Sequence, residues 1–166
     1  MNKLIVLAGA VSALAFAAAP AEAATPTQQA TATAKIYTPL SIAWARDLSF
    51  GVVVLNNKTF AAEAVSIDGT GTVACGAAAD MTCGGTPSSA GYTLAGSADS
   101  VVTITSPGFN LVNGAATLAF TPSFPATVTL DNTGAGTLDI GGSISVAGNT
   151  PEGVYTGDFN VTADYQ

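Results

Sequence analysis

The sequence predicts an all-β fold, an immunoglobulin-like β-sandwich, and three observations carry the prediction. Short apolar runs alternate with Gly, Pro, Asn and Asp turn signals at intervals of roughly 8–12 residues, the strand spacing of a sandwich. No stretch repeats its apolar side chains with a helical period. Thr, Val, Ala, Gly and Ser dominate the composition, with 18 glycines and only 9% charged residues.

At the N-terminus, Lys3 precedes an apolar run from Leu4 to Ala19, and Ala21-Glu22-Ala23 places small residues where a signal peptidase reads. Residues 1–23 are therefore expected to be a secretory signal. The run is short and rich in Ala and Gly for a spanning helix, and no later segment has the apolar length to cross a bilayer. The remainder is long enough for one domain with a real core. Its only cations are Lys35, Arg46 and Lys58, in a chain of net charge −7. That balance excludes nucleic acid and anionic lipid as partners, since either demands cations that displace counterions.

Residues 24–38 read as an arm, polar at first and then alternating through Ala30, Ala32, Ala34 and Ile36. The alternation is that of a strand, but its small side chains bury little area by themselves. Pro39 cannot donate to a ladder and marks the start of the domain, residues 39–166. Leu40, Ile42 and Trp44 continue in phase beyond it. An exposed tryptophan would suit a sugar, but this phase assigns Trp44 to the core.

Leu48 to Leu55 is an apolar strand that an Asn56-Asn57 turn folds back on Thr59 to Ile67, ended by Asp68-Gly69-Thr70-Gly71. Tyr92 to Leu94 and Val101 to Thr105 are short strands. Phe109 to Val112 and Ala115 to Thr121 flank Asn113-Gly114, the strongest hairpin signal in the chain. Thr127 to Asp131 and Thr137 to Ile140 flank a second turn, Asp131 to Gly134, in an expected hairpin, and Gly141-Gly142 suggests a bulge before Ser143 to Val146. Gly148-Asn149-Thr150-Pro151 then turns the chain into its last stretch.

The two cysteines, Cys75 and Cys83, are close in sequence, and in an exported protein such a pair is expected to form a disulfide that staples a local loop. No histidine exists to complete a zinc site or to serve as an imidazole base. Ser143 lacks the second glycine of a nucleophile elbow and sits in a strand context. Asp131 and Asp139 would face each other across their hairpin, a geometry for paired carboxylates or calcium, but turn-forming is the stronger reading for both, as for Asp68 and Asp99. The expectation is a protein that is not an enzyme, with no cofactor and no metal.

The last stretch, Gly153 to Gln166, reads as one half-buried strand. Tyr155, Phe159, Val161, Ala163 and Tyr165 fall on one side, and Thr156, Asp158, Asn160, Thr162 and Asp164 on the other. Gly153 stands fourteenth from the end and Tyr165 is penultimate. In those two places and in the alternation between them the chain resembles subunits of chaperone-usher pili. With Pro39-Leu40-Ser41-Ile42, Leu48-Ser49-Phe50-Gly51 and Tyr155-Thr156-Gly157-Asp158-Phe159-Asn160-Val161, it is similar to a family of small secreted bacterial β-domains of unknown function related to pilins.

The resemblance implies a sandwich that lacks its last strand. The groove beside Gly153, Tyr155, Phe159, Val161, Ala163 and Tyr165 would be filled first by a periplasmic chaperone and then, at the outer-membrane usher, by the arm of another subunit. Ala30, Ala32, Ala34 and Ile36 would form that donor strand. The implied function is a structural subunit of a surface pilus or fimbria of a Gram-negative bacterium, supporting adhesion or biofilm through a host or matrix receptor. Its partners would be identical or related subunits. The alternative is a self-complete secreted monomer that binds a glycan or matrix component.

Overall fold

The computed structural model describes residues 25–166, so the secretory segment read at residues 1–23 lies outside them. Among the described residues the protein is all-β, with strands and no helix. Its contacts divide the chain at Lys35/Ile36, slightly before the boundary expected at Pro39. On the first side, residues 25–35 are exposed and form no strand. Small alternating side chains supply too little burial to hold a strand without a partner.

The second unit opens with β1 (Ser41–Arg46), β2 (Val52–Leu55), β3 (Glu63–Ile67), β4 (Val73–Ala74), β5 (Met81–Gly84) and β6 (Ala90–Ala95). It continues with β7 (Val101–Thr105), β8 (Phe109–Asn113), β9 (Ala116–Ser123), β10 (Thr127–Thr129), β11 (Ala135–Val146) and β12 (Thr162–Tyr165). The long strand β11 organises the rest. Its first half pairs with β6, which carries β1 on its other edge, and its second half lies between β3 and β9. A separate sheet runs β10-β7-β12, and β2 pairs with β5 alone.

Two apolar cores result, one along each half of β11. Leu94, Val102, Ile104, Leu130, Leu138 and Ile140 fill the space between β6 and β11 on one side and β7 and β10 on the other. Val65, Ile67, Met81, Leu118, Phe120, Ile144 and Val146 form the second, beside β2 and β5. Every pairing in the domain is antiparallel. The hairpin expected at Asn113-Gly114 forms one residue later, with Asn113 paired to Ala116 and Gly114, at φ 58°, opening the turn. Cys75 and Cys83 are bonded, with Cα atoms 5.9 Å apart.

Several expected pairings do not form. Leu48 to Leu55 does not fold back on Thr59 to Ile67, because β2 pairs with β5 while β3 joins β11 and β4. The Asn pair is occupied elsewhere: the Asn56 and Asn57 amides donate to the Asp80 carbonyl, and Asn57 Nδ2 donates to the Asp80 carboxylate at 2.8 Å. Likewise β10 and β11 are joined by the Asp131 turn but pair with β7 and β6, so the corner carries the chain across the core and Leu130 and Leu138 are buried in one cluster. Gly141 and Gly142 make no bulge, since β11 is continuous through them. They are small because a Cβ would overlap the Ile67 carbonyl at Gly141 and the Phe120 ring at Gly142.

Two further expectations are corrected. Trp44 is not a core residue but is 64% exposed. The last stretch is not one strand from Gly153: only Thr162 to Tyr165 forms β12, paired with β7. Its alternation holds from Phe159 to Gln166, with Phe159, Val161, Ala163 and Tyr165 half-buried and the residues between them exposed, while before it Tyr155 is half-buried and Gly153 and Gly157, in the same phase, are exposed.

Candidate functional site

A long open groove of about 1040 Å³ runs across the second unit. One wall is the chain from Trp44 through β2 to Leu55, the other is the stretch from Thr150 to Phe159, and Leu111, Leu118, Ile144 and Val146 form the floor. The walls are held from behind. Strand β2 is paired with β5, whose Cys83 is clipped to Cys75, just beyond β4. The Thr156 amide and carbonyl exchange bonds with Val112 of β8, at 3.1 and 2.8 Å.

Toward the groove neither wall is paired. Among the described residues β2 has no ladder partner but β5, and Thr156 is the only residue between Gly153 and Val161 that makes a backbone bridge. Gly153 is required where it stands, at φ 141° and so close to the Asn113 side chain that a Cβ would overlap it. Asn113 Nδ2 donates to the Glu152 carbonyl at 3.0 Å, which ties the start of this wall to the β8–β9 hairpin.

Beyond Phe159 the terminal segment is anchored. The Phe159 ring stacks on Phe109 with centroids 5.4 Å apart, and Val161, Ala163 and Tyr165 pack on the core between β6 and β7. Tyr165 also clasps the start of the domain: its ring stacks on Tyr37 at 4.3 Å, and its hydroxyl accepts from the Ser97 amide at 2.7 Å and donates to the Thr38 carbonyl at 2.9 Å. The groove is thus open along 150–159, while the terminal strand is closed at Tyr165. Tyr155, on the open stretch, packs inward and donates its hydroxyl to the Pro151 carbonyl.

The lining carries Asp47, Glu152 and Asp158 against the single cation Lys58. Burial raises the Tyr92 phenol above its ordinary value, and the charge of Asp47 adds to that. No nucleophile is paired with a base here, and among the described residues no three His, Cys, Asp or Glu side chains converge as metal ligands. Asp131 and Asp139 do not face each other across a hairpin. Asp139 meets Arg46 at 2.7 Å, whereas Asp131 accepts from the Thr133 amide and hydroxyl and the Ala135 amide of its own turn. Asp68 does the same with Thr70 and Thr72. What the groove offers is apolar side chains between two unsatisfied backbone edges, the chemistry of an extended peptide site.

Of the residues assigned to the groove from sequence, Gly153, Tyr155 and Phe159 line it without forming a strand, and β2, which also lines it, was not among them. The donor candidates Ala30, Ala32 and Ala34 lie in the strandless first unit, and Ile36, at the start of the second, is 91% exposed. The missed signal was Val52-Val53-Val54-Leu55, four apolar residues in a row, a pattern that leaves no polar face for solvent. Residues 40–165 match a family described as a domain of unknown function (DUF4402), and the chain belongs to that family. No curated protein and no solved structure matches it.

Proposed function

We propose that this member of the family is a structural subunit of a bacterial surface fibre of pilus type, assembled by strand exchange. On this reading the domain is an immunoglobulin-like sandwich short of one strand. The groove between β2 and residues 153–159 is the vacancy, and residues 25–36 of another copy are the donor. The observation that carries the reading is that β2 and residues 153–159, each with an edge that has no ladder partner among the described residues, line one groove with an apolar floor. Such edges invite another chain, and strand addition satisfies both at once.

The exported route, the periplasmic chaperone and the outer-membrane usher belong to the same proposal. It is supported by the N-terminal apolar segment, by the disulfide, which suits an oxidising compartment, and by the pilin-like Gly153 and Tyr165. Adhesion or biofilm formation through the finished fibre is the expected role. The full chain, secreted in its native host, should run as a ladder of non-covalent multimers when unheated. Deleting residues 24–35 should remove the ladder, and appending that segment after Gln166 through a flexible linker should give a stable monomer. A truncated chain that still forms the ladder overturns the proposal.

One observation favours a second reading, a self-complete monomer that binds a glycan. Trp44 is exposed beside Tyr92 and Asp47, an aromatic face with a carboxylate at its edge. The test below separates the two.

A further inference from the structure

We infer, on the strand-exchange reading, that Trp44 is the anchor of the groove and that residues 25–36 of a second copy lie across it and bury it. Residues 42 and 44 of β1 lie on one face of the strand, with no irregularity between them. Ile42 pairs with the buried Leu94, and Trp44 pairs with Tyr92, which packs on the same core. Directly opposed residues in an antiparallel pair share a face, so Trp44 projects to the core side of its sheet. Its exposure of 64% therefore marks the place where a cover is absent from a face built to be covered.

The neighbouring wall repeats the point. In β2, Val53 and Leu55 turn into the core, while Val52 and Val54 remain 56% and 53% exposed. Across the groove Val154 is 78% exposed. An aromatic flanked by aliphatic side chains and unpaired backbone is the composition of an interface centre.

Charge, length and side-chain size select the occupant. Residues 25–36 carry one charged residue, Lys35, and no carboxylate, whereas every charged residue from Asp47 onward is acidic except Lys58. The arm is thus opposite in sign to a groove lined by Asp47, Glu152 and Asp158. Extended at about 3.3 Å per residue, residues 25–36 reach about 40 Å, more than the roughly 13 Å of the four-residue strand β2. Their alanines suit a groove that itself supplies the bulk, in Trp44, Val52 and Val54.

Trp44 is the only tryptophan, so its emission reports the occupancy of the groove. In the full-length exported chain, separated by size, the assembled fraction should emit further to the blue than the monomer and resist acrylamide quenching several-fold better. Trp44→Ala should lower the assembled fraction at least tenfold, and Trp44→Phe should keep it within about threefold of native. Val54→Asp, at an exposed position that does not test folding, should act like Trp44→Ala. Fibres whose Trp44 is quenched as readily as in the monomer, with Trp44→Ala assembling normally, overturn the anchor and leave strand exchange standing. Failure of the native chain to assemble, with an oligosaccharide shifting Trp44 emission in the monomer, overturns both.

Discussion

The two halves of the terminal segment carry one alternating pattern and differ in what they meet. From Thr162 to Tyr165 the chain pairs with β7, and its inward side chains close a core that includes Val102 and Ile104. From Gly153 to Phe159 only Tyr155 and Phe159 turn inward, and among the described residues a single bridge to Val112 is the stretch's only backbone pairing. The other wall shows the same contrast, since Ile42 is covered and Trp44, two residues on in the same phase, is not. A pleated strand chooses which side chains turn inward by its own backbone geometry, but it cannot supply what lies on top of them. An inward-turned side chain left in water therefore locates a missing partner.

The contrast between closed core and open wall is broken or sharpened most strongly by truncating one residue in each. Leu138, 1% exposed in the closed core, should lose about 2–5 kcal/mol on change to Ala, through lost transfer energy and the cavity left behind. Val54→Ala, on the open wall, should change the stability of the unassembled chain by less than about 0.5 kcal/mol. Denaturant midpoints read both, and equal losses would mean that the groove is already covered.

Next in size is the disulfide. Its sequence separation of 8 closes a short loop, and loop-closure entropy assigns it about 2–3 kcal/mol. Because β5 is the only ladder partner of β2, Cys75→Ala with Cys83→Ala should speed amide exchange in β2 and β5 while leaving β6 and the first half of β11 protected. Uniform acceleration across both cores would show that the open wall is not an independent unit.

A smaller effect is expected at the closed end. Tyr165→Phe keeps the stack on Tyr37 but removes the hydroxyl that joins Ser97 to Thr38. It should lower the thermal midpoint by less than loss of the disulfide does and expose the Ile36–Pro39 stretch to protease. No change in cleavage there would show that the stack alone fixes the start of the domain.

The smallest effect concerns the two aspartate turns. The Thr70 hydroxyl, foremost, holds Asp68 below its ordinary value of 3.8, and the Thr133 hydroxyl does so for Asp131. A carboxylate depressed in the folded state stabilises fully above its unfolded value, and that contribution is lost as pH falls through the folded value. As pH falls below about 4, the thermal midpoint of the native chain should therefore drop more steeply than that of Asp68→Asn with Asp131→Asn, whose amides accept the same turn bonds at any pH. Parallel acid limbs would remove the aspartates from the account.

What the sequence by itself determined about this protein is local. The period-two alternation of the terminal segment, the Asn113-Gly114 hairpin, the strand at Val101 to Thr105 and the Cys75–Cys83 bond were all legible, because each depends on backbone pleat, turn chemistry or short loop closure. Strand partners were not. Leu48 to Leu55 and Thr127 to Asp131 were assigned to their nearest neighbours in sequence, and the fold gave them β5 and β7 instead. A ladder accepts any strand of suitable length, and the choice falls to whichever arrangement buries Leu130 with Leu138 and Met81 with Val65. The groove followed from that choice. The inward turn of Tyr155 and Phe159 could be read from sequence, but the groove's second wall, and the exposure of Trp44, exist only because β1 and β2, among the described residues, found partners on one edge and none on the other.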